Sequence, residues 1–574
     1  MTNPSITRAR STVPSRVVVA DDHETGFTQG QAASKAVIIA AGCGSRLQGD
    51  GMPSCPKPLV QVGGLGLLER TILTLERAGV SEFLVVIGYR GEEIRRRITE
   101  KKLPVAIEWI EHSEWEKQNG LSVLAAEGRV EGPFLLTMSD HLFSVETARR
   151  LAHAPVAEGE VILVVDRDVR AVPDPEDATK VRVRGHHVVG IGKDLDDYNA
   201  IDTGLFLCTP ALFAALRWSQ IRGDCSLSDG IRNLAEQERV RIVDIEGDFW
   251  LDVDTKETLG LADTLLFQQL TKPEDGVLAK RLNRPISLWV TRWLAQTPVT
   301  PNQITVALLV LGMMAAVLFA QGDPVFMILG ALLFQAQSTL DGCDGELARL
   351  KFQESRLGGI LDVVTDGLVT AAGFFGMGLG VSRLSGESLY AVLGAVAGGG
   401  TLACTGLLFL LTHRSGRFSG SFRSFSPFKG SLSTVDGFPA RFFDGLTRAL
   451  DSLSRRDYTY LVLLLALVGY LSYFLWMASV GIVFYLLGLS ILYGASFVYD
   501  SAFLDFLSKR PDLSCGIPGF FNHIVSAIPA LQSSRALTSF RLYREALSTG
   551  HASLFRFPFT GRLCILDSLK IHVS

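Results

Sequence analysis

The pattern of apolar and polar residues divides the chain into two halves that suit different solvents. In the first half the apolar runs are short, as at 36–41 and 161–165, and have the length of buried strands. Stretches with helical spacing, such as 67–78 and 92–99, lie between them. Short buried strands alternating with helices are typical of α/β folds. The pattern predicts a Rossmann-like α/β domain with a mostly parallel sheet over 35–264, after a polar N-terminal segment, 1–34.

The second half carries apolar runs that are much longer. They lie at 304–321, 325–340, 359–380, 388–411, 459–478 and 480–498. As a helix, each run is about long enough to cross roughly 30 Å of hydrocarbon. The pattern therefore predicts an all-α, six-helix transmembrane domain over 304–500. Residues 501–574 form a C-terminal tail that contains no motif with a chemical interpretation.

The distribution of lysine and arginine predicts how the helices are oriented. The loops at 341–357 and 412–457 contain three and eight basic residues, mostly arginine, whereas Arg383 is the single basic residue of the alternate loops. Positively charged loops stay on the cytoplasmic side of a membrane. We therefore expect a multi-pass protein of the inner (plasma) membrane, with both termini and the α/β domain in the cytoplasm.

The segment 265–303 joins the two halves. Its Lys280, Arg281, Arg284 and Arg292 lie beside Leu and Trp residues. This mixture suits a juxtamembrane helix lying on anionic lipid. An ordinary linker is an equally good interpretation of the sequence.

Composition narrows the class of protein. The 574 residues are too many for one core. Charged residues make up 20% of the chain, below the roughly 25% of soluble domains, so part of it belongs in lipid. The net charge of -4 gives no sign of nucleic-acid binding. The eight cysteines form no CxxC pair, which argues against a zinc site or a disulfide framework.

Four aspartates near the second and third apolar runs are the main candidates for chemistry. Asp341 and Asp344 are three residues apart, and Asp362 and Asp366 are four apart, so each pair lies on one face of a helix. Carboxylates in membrane helices are costly and tend to mark function. Four of them would repel one another unless divalent cations lay between them, and two Mg²⁺ ions could clamp a diphosphate. A solvated acidic loop would explain one pair, but it is a poor explanation of the whole pattern.

The same stretch resembles the CDP-alcohol phosphatidyltransferase family, whose signature D-x2-D-G-x2-A-R-x8-G-x3-D-x3-D it matches at every fixed position from Asp341 to Asp366. Residues 282–287 and 300–305 also resemble that family. The resemblance implies two metal ions on the four aspartates, with Asp366 as general base on the acceptor hydroxyl. It implies that the CDP moiety contacts Gly345, Ala348, Arg349 and Gly358. Arg455 and Arg456 stand where basic residues for an acceptor phosphate are expected.

A second motif begins where the first predicted strand ends. Gly42 and Gly44 form a glycine-rich turn, followed by Arg46 and then Lys57. Such a turn exposes backbone N–H groups to phosphate, and the two cations add charge that suits a triphosphate. Three carboxylates also follow apolar runs, as carboxylates that hold Mg²⁺ against a phosphate often do. They are Asp140, Asp252 and Asp254.

This half resembles the sugar-nucleotidyltransferase superfamily over 35–264. Segments 138–141, 178–181 and 191–195 resemble its CTP:inositol-1-phosphate cytidylyltransferase branch, in which the domain is commonly fused to a di-myo-inositol-phosphate-phosphate synthase. The resemblance implies that Gly42, Gly44, Arg46 and Lys57 bind triphosphate, that Asn119 and Ser122 lie near the base, and that Lys180 or Lys193 binds the sugar phosphate. It implies one Mg²⁺ on Asp140 with either Asp252 or Asp254. We expect His141 to pack or hydrogen-bond beside this metal ligand rather than bind the metal.

Together the resemblances predict a two-step pathway. The α/β domain would make CDP-inositol from CTP and inositol 1-phosphate. The membrane domain would transfer the inositol-phosphate unit from this CDP-alcohol to a second alcohol, which the resemblance implies is inositol 1-phosphate, and release CMP. We also expect a homodimer through the membrane domain.

One feature of the composition argues against the expected product, and two alternative functions remain open. Arginine prevails over lysine and there are eight cysteines, unlike proteins of heat-adapted cells, so a different acceptor is plausible. The first alternative is a phospholipid synthase whose α/β domain supplies another CDP-alcohol. The second is a degenerate nucleotide-binding regulator, against which the intact Arg46, Lys57, Asp140 and Asp254 argue.

Overall fold

The computed structural model describes most of both halves. The described residues are 32–44, 46–47, 55–223, 225–271, 279–415, 445 and 457–498. Contacts divide the chain into two compact units between Leu265 and Leu266. The candidate residues Arg455 and Arg456, the tail 501–574 and nearly all of the N-terminal segment lie outside the described residues.

The first unit is an α/β domain. Its strands are β1 Lys35–Ala40, β2 Gln61–Val62, β3 Leu65–Gly66, β4 Glu82–Ile87, β5 Ala106–Glu111, β6 Phe134–Met138, β7 His141–Phe143, β8 Val161–Asp166, β9 Lys180–Arg184, β10 His187–Gly192, β11 Ala200–Cys208, β12 Val240–Asp244 and β13 Trp250–Asp252. Its helices are α1 Leu67–Ala78, α2 Gly91–Glu100, α3 Asn119–Leu124, α4 Val145–Ala152, α5 Ala211–Ile221 and α6 Leu227–Ala235, and α7 Lys256–Gln269 follows.

Nine strands form the main sheet, in the order β5-β4-β1-β6-β11-β8-β12-β10-β9. The predicted α/β fold is confirmed, but the expectation of a mostly parallel sheet is too strong. Strands β5, β4, β1 and β6 are parallel, as are β8 and β12. Strand β11 runs antiparallel to β6, β8 and β9, and β10 runs antiparallel to its neighbours. Side chains alternate between the two faces of a strand in the same way in either direction, so the sequence pattern does not encode the direction.

Alternate residues of the central strands feed two apolar cores, one on each face of the sheet. In β1, Val37 and Ile39 belong to one core, and Ala36 and Ile38 belong to the other. The parallel strands β1 and β6 are neighbours, and the backbone N–H of Ser139 donates to the Ile39 carbonyl at 3.0 Å. The loops that follow both strands therefore start at the same edge of the sheet.

The second unit is helical. A π-helical turn at Ala279–Asn283 leads into α8 Arg284–Ala295, α9 Pro301–Ala320, α10 Pro324–Leu340, α11 Gly342–Leu350, α12 Arg356–Ser385, α13 Ser388–Ser415, α14 Tyr458–Leu467 and α15 Leu471–Val498. In the described ranges, five helical stretches are long and apolar enough to cross a membrane, at Pro301–Ala320, Pro324–Leu350, Arg356–Ser385, Ser388–Leu410 and Leu471–Leu492.

The last two predicted spans, 459–478 and 480–498, are divided wrongly. The break comes ten residues earlier, where Gly469 has a φ of +77° between the short helix α14 and the long helix α15. The predicted break near Ser479 is helical, and the Ser479 hydroxyl lies 2.7 and 2.9 Å from the carbonyl oxygens of Leu475 and Leu393. A serine whose hydroxyl bonds to the preceding turn is compatible with a helix interior.

Candidate active sites

The glycine turn after β1 packs against the side chain of Lys57. Gly44 has a φ of +63°, and a Cβ atom there would lie 2.6 Å from the Cβ of Lys57. Only glycine fits both requirements. Around Gly42 a Cβ atom would meet no heavy atom within 4 Å, so the backbone of this residue borders open space. The turn thus has an accessible backbone and packs against Lys57, of which only 7% is exposed.

Four predicted residues form a network of charges beside the turn. The Lys57 ammonium donates to Asp140 at 2.6 Å and also to Asp254. Arg46 donates to Asp254 at 2.5 Å. Burial alone would lower the pKa of Lys57, but the charges of Asp140, Asp254 and Asp252 outweigh it and raise that pKa. Lys57 therefore keeps its positive charge, as an anion-binding group requires.

Next to this network lies a group of possible metal ligands. Single ligand atoms of Asp140, His141 and Asp252 all lie within 4.8 Å of one another. The antiparallel pairing of β7 with β13 sets His141 opposite Asp252. The Nδ1 atom of His141 lies 2.8 Å from an Asp140 oxygen, and Nε2 lies 3.9 Å from an Asp252 oxygen. His141 therefore lies beside a candidate metal ligand, where the sequence places it, and is itself within reach of the same cation.

Asp252 is a buried carboxylate that could bind a cation. Burial raises its pKa to about 6; the nearby His141 opposes this shift, while Asp140 and Asp254 add to it. Its Oδ1 atom is buried and has no hydrogen-bond partner among the described residues. Buried polar atoms normally have a partner, so a bound divalent cation would fit here. Of the two aspartates that the sequence leaves open, the structure groups Asp252 with the candidate ligands and Asp254 with the cations.

The predicted base and sugar-phosphate residues lie on other elements. Asn119 begins α3, and its side-chain oxygen accepts a hydrogen bond from the Leu227 backbone at 2.9 Å, while Ser122 is buried in the same helix. Lys180 donates to the carbonyl of Lys193 at 2.9 Å. The two lysines are thus neighbours. The structure does not bring Asn119 into the charge network, because its side chain ties α3 to α6.

Sequence reasoning missed two residues of this site. Asp177 accepts hydrogen bonds from Arg46 and from Lys193, the latter at 2.7 Å, and so links the two predicted phosphate sites. Its position directly before the recognised segment 178–181 was an available signal. Gly204, in β11, has a φ of +73° and lies against the His141 ring. A glycine inside a strand carries no comparable signal, because its neighbour is 63 residues away in sequence.

In the second unit, three of the four predicted aspartates converge. Carboxylate oxygens of Asp341, Asp362 and Asp366 lie within 4.8 Å of one another. Asp341 lies at the junction of α10 and α11, and the other two lie one turn apart on α12. Asp344 is outside this group: it is 7% exposed and accepts hydrogen bonds from the Thr305 hydroxyl at 2.5 Å and from the Gly345 backbone at 2.6 Å. Three oxygen ligands so close together fit a divalent cation.

The remaining motif residues surround this cluster along the chain. Arg349 donates to the Leu270 carbonyl at 3.3 Å, and a Cβ atom on Gly345 would lie 3.3 Å from the Arg349 guanidinium. Ala348 is half-buried in α11. The backbone N–H of Gly358 donates to Ser355, the N-cap of α12, at 3.0 Å.

Comparisons with known proteins match the two units separately. Residues 36–242 match the family model described as MobA-like NTP transferase domain, and residues 298–432 match CDP-alcohol phosphatidyltransferase. A solved inositol-1-phosphate CTP transferase from T. maritima is 27% identical, with a TM-score of 0.37, and covers 42% of this chain and 98% of its own.

Two relatives extend across both units. A bifunctional IPC transferase and DIPP synthase from Rubrobacter xylanophilus is 38% identical over 370 residues, 64% of this chain and 82% of that protein. A protein of the same description from Archaeoglobus fulgidus is 34% identical over 363 residues, 63% of this chain and 69% of that protein.

Proposed function

Because this chain belongs to the family of bifunctional IPC transferases and DIPP synthases, we propose that it catalyses two successive transfers. It is a membrane enzyme with a nucleotidyltransferase unit and a CDP-alcohol phosphotransferase unit. The first unit makes CDP-inositol from CTP and inositol 1-phosphate and releases pyrophosphate. The second transfers the inositol-phosphate unit from CDP-inositol to a second alcohol and releases CMP. In our proposal that alcohol is another inositol 1-phosphate.

In the first transfer, a phosphate oxygen of inositol 1-phosphate attacks the α-phosphorus of CTP, and pyrophosphate leaves. The Gly42–Gly44 backbone, Arg46 and Lys57 bind the triphosphate, and Lys180 or Lys193 binds the phosphate of the inositol. Asn119 and Ser122 lie near the cytosine base of CTP. The salt bridges from Asp254 to Arg46 and Lys57 support this assignment, since a triphosphate would compete for the same two cations.

One Mg²⁺ ion fits Asp140 together with Asp252 or Asp254. Bound there, it would offset the charge that develops on the phosphates. The buried Oδ1 atom of Asp252 supports Asp252 as the second ligand. Lys57 holds Asp140 in place at 2.6 Å and keeps that carboxylate ionised, because the lysine charge lowers its pKa against the effect of burial.

In the second transfer, the acceptor hydroxyl attacks the phosphorus that carries the inositol, and CMP leaves. Asp366 takes the hydroxyl proton as general base. The four aspartates would hold two Mg²⁺ ions, and Asp341, Asp362 and Asp366 already lie together. The ions would neutralise the diphosphate of the CDP-alcohol. The CDP moiety contacts Gly345, Ala348, Arg349 and Gly358, and the acceptor phosphate is bound by Arg455 and Arg456.

Both substrates of the first step are charged, water-soluble molecules, so we propose that both active sites open to the cytoplasm. The loops rich in lysine and arginine support the same side. The membrane-domain homodimer and a lipid contact of the segment 265–303 stay predictions.

The observation that carries this proposal is that each unit contains a cluster of candidate metal ligands. The first is Asp140, His141 and Asp252, and the second is Asp341, Asp362 and Asp366. The test is to incubate the purified protein with CTP, Mg²⁺ and a panel of alcohol phosphates and to identify the products by mass. We expect CDP-inositol, pyrophosphate, CMP and a water-soluble inositol phosphodiester. A product that partitions into organic solvent would identify a phospholipid synthase instead.

A further inference from the structure

A buried glutamate inside the aspartate motif has no part in the chemistry proposed above. Glu346 occupies a variable slot between Gly345 and Ala348, and its exposed fraction is 0%. It accepts hydrogen bonds from Arg284 at 2.5 Å, Ser287 at 2.8 Å and Thr291 at 2.7 Å. A buried carboxylate is tolerated only when it is paired and hydrogen-bonded, and removing its partners is strongly destabilising. Both oxygens of Glu346 meet this condition.

All three donors lie on one face of α8. Arg284, Ser287 and Thr291 are spaced three and four residues apart, which places them in line along a helix. The side chains on this face are nearly or fully buried, whereas Ile286, Trp289 and Trp293 on the opposite face are 51%, 73% and 65% exposed. The polar face of α8 therefore packs against α11. Its apolar face is exposed.

The fit between the two helices also depends on a glycine and a cysteine of the motif. A Cβ atom on Gly342 would lie 2.5 Å from the Arg284 guanidinium, so a larger residue would displace the arginine. The Cys343 thiol donates to the Ser287 carbonyl at 3.5 Å. Gly342, Cys343 and Glu346 thus form one contact surface toward α8.

Helix geometry separates this surface from the aspartates. An α-helix turns by about 100° per residue, so Glu346 points about 160° away from Asp344 and about 140° from Asp341. Asp344 is held on its own side by Thr305 of α9. Helix α11 is therefore fixed from two sides: by α9 through an aspartate, and by α8 through Glu346.

From these contacts we propose that Glu346 is a positioning residue, which anchors α11 to α8 and so fixes Asp341 and Asp344 relative to Asp362 and Asp366 on α12. The proposal rests on the assignment of these aspartates to a metal site. A shift of α11 would separate ligands that come from two different helices. Residues that orient metal ligands typically contribute about 10- to 100-fold to metal affinity or activity.

The experiment compares Mg²⁺ dependence in full-length protein carrying Glu346→Gln, Glu346→Ala, Ser287→Ala or Thr291→Val. Glu354→Ala is the matched control, because Glu354 is an exposed glutamate in the loop after α11. Two quantities are measured against Mg²⁺ concentration: CMP release from supplied CDP-inositol, and the rise in melting temperature that Mg²⁺ and CDP together produce. The second needs no turnover. Pyrophosphate release from CTP serves as a control for an intact first unit.

We expect the Mg²⁺ concentration for half-maximal effect to rise about tenfold or more for Glu346→Ala, in both measurements, and less for Glu346→Gln and the two single-donor variants. Glu354→Ala should match the wild type. If Glu346→Ala shows no melting transition, Glu346→Gln, Ser287→Ala and Thr291→Val decide the question. Variants with a lower melting temperature but an unchanged Mg²⁺ midpoint would show a purely structural role and overturn the proposal. A wild type that shows the Mg²⁺-dependent shift yet releases no CMP would contradict the proposed reaction and not the role of Glu346.

Discussion

Gly204 and His141 are in contact so close that no side chain fits at position 204. A Cβ atom there would lie 2.1 Å from the imidazole ring, and Gly204 has a φ of +73°. The Asp202 carboxylate accepts a hydrogen bond from the Gly204 backbone at 2.7 Å and so holds this part of β11. Burial raises the pKa of Asp202 to about 6. The backbone of β11 thus determines where His141, and with it Asp140, can lie.

We therefore expect Gly204→Ala to displace the His141 ring and to lower CTP-dependent pyrophosphate release by about tenfold or more, as loss of a group that orients a metal ligand does. CMP release from supplied CDP-inositol should not change. The control is Gly185→Ala, since Gly185 has a similar φ of +63° but open space around its Cβ position. Equal losses in both variants would attribute the effect to backbone strain alone.

Asp252 and Asp254 have different neighbours, and we expect them to have different roles. Asp252 lies with Asp140 and His141, whereas Asp254 holds Lys57 and Arg46. We expect Asp252→Asn to raise the Mg²⁺ concentration for half-maximal pyrophosphate release by about tenfold. Asp254→Asn should change the KM for CTP more than the Mg²⁺ requirement. Titrating each variant with Mg²⁺ and with CTP measures both effects. If Asp254→Asn raises the Mg²⁺ requirement and Asp252→Asn changes the KM for CTP, Asp254 is the metal ligand instead.

The orientation of the membrane unit can be tested at two exposed glutamates. Glu354 lies just before α12 and Glu387 lies just after it, so a membrane-spanning α12 separates them. We expect an impermeant thiol reagent added to intact cells to label Glu387→Cys and not Glu354→Cys, with the parent chain as background. Labelling of Glu354→Cys alone would put the catalytic aspartates on the side opposite to CTP.

Much of both sites was predictable from sequence because the relevant residues lie in short, regularly spaced segments. Lys57 and Asp140 are 83 residues apart, yet both follow strands that end at one edge of the sheet, and they meet at 2.6 Å. Asp362 and Asp366 are related by one helical turn, which spacing alone reveals. The α/β fold and most of the membrane helices follow from apolar runs in the same way.

What the sequence could not show are contacts between distant segments that leave no local pattern. The role of Glu346 depends on three residues of α8, about 55 to 62 positions earlier in the chain. The directions of β10 and β11 leave no trace in the sequence, because side chains alternate between the two faces of a strand in the same way in either direction. The break at Gly469 lies within a long apolar stretch, where hydropathy does not distinguish one helix end from another.

The central claim is that two independent active sites act in sequence, and paired substitutions test it most directly. In full-length protein we expect Asp366→Asn to abolish CMP release while leaving pyrophosphate release from CTP and inositol 1-phosphate at the wild-type rate. Asp140→Asn should abolish pyrophosphate release and leave CMP release from supplied CDP-inositol intact. Loss of both reactions in either variant, in protein that is still folded, would contradict the two-site account.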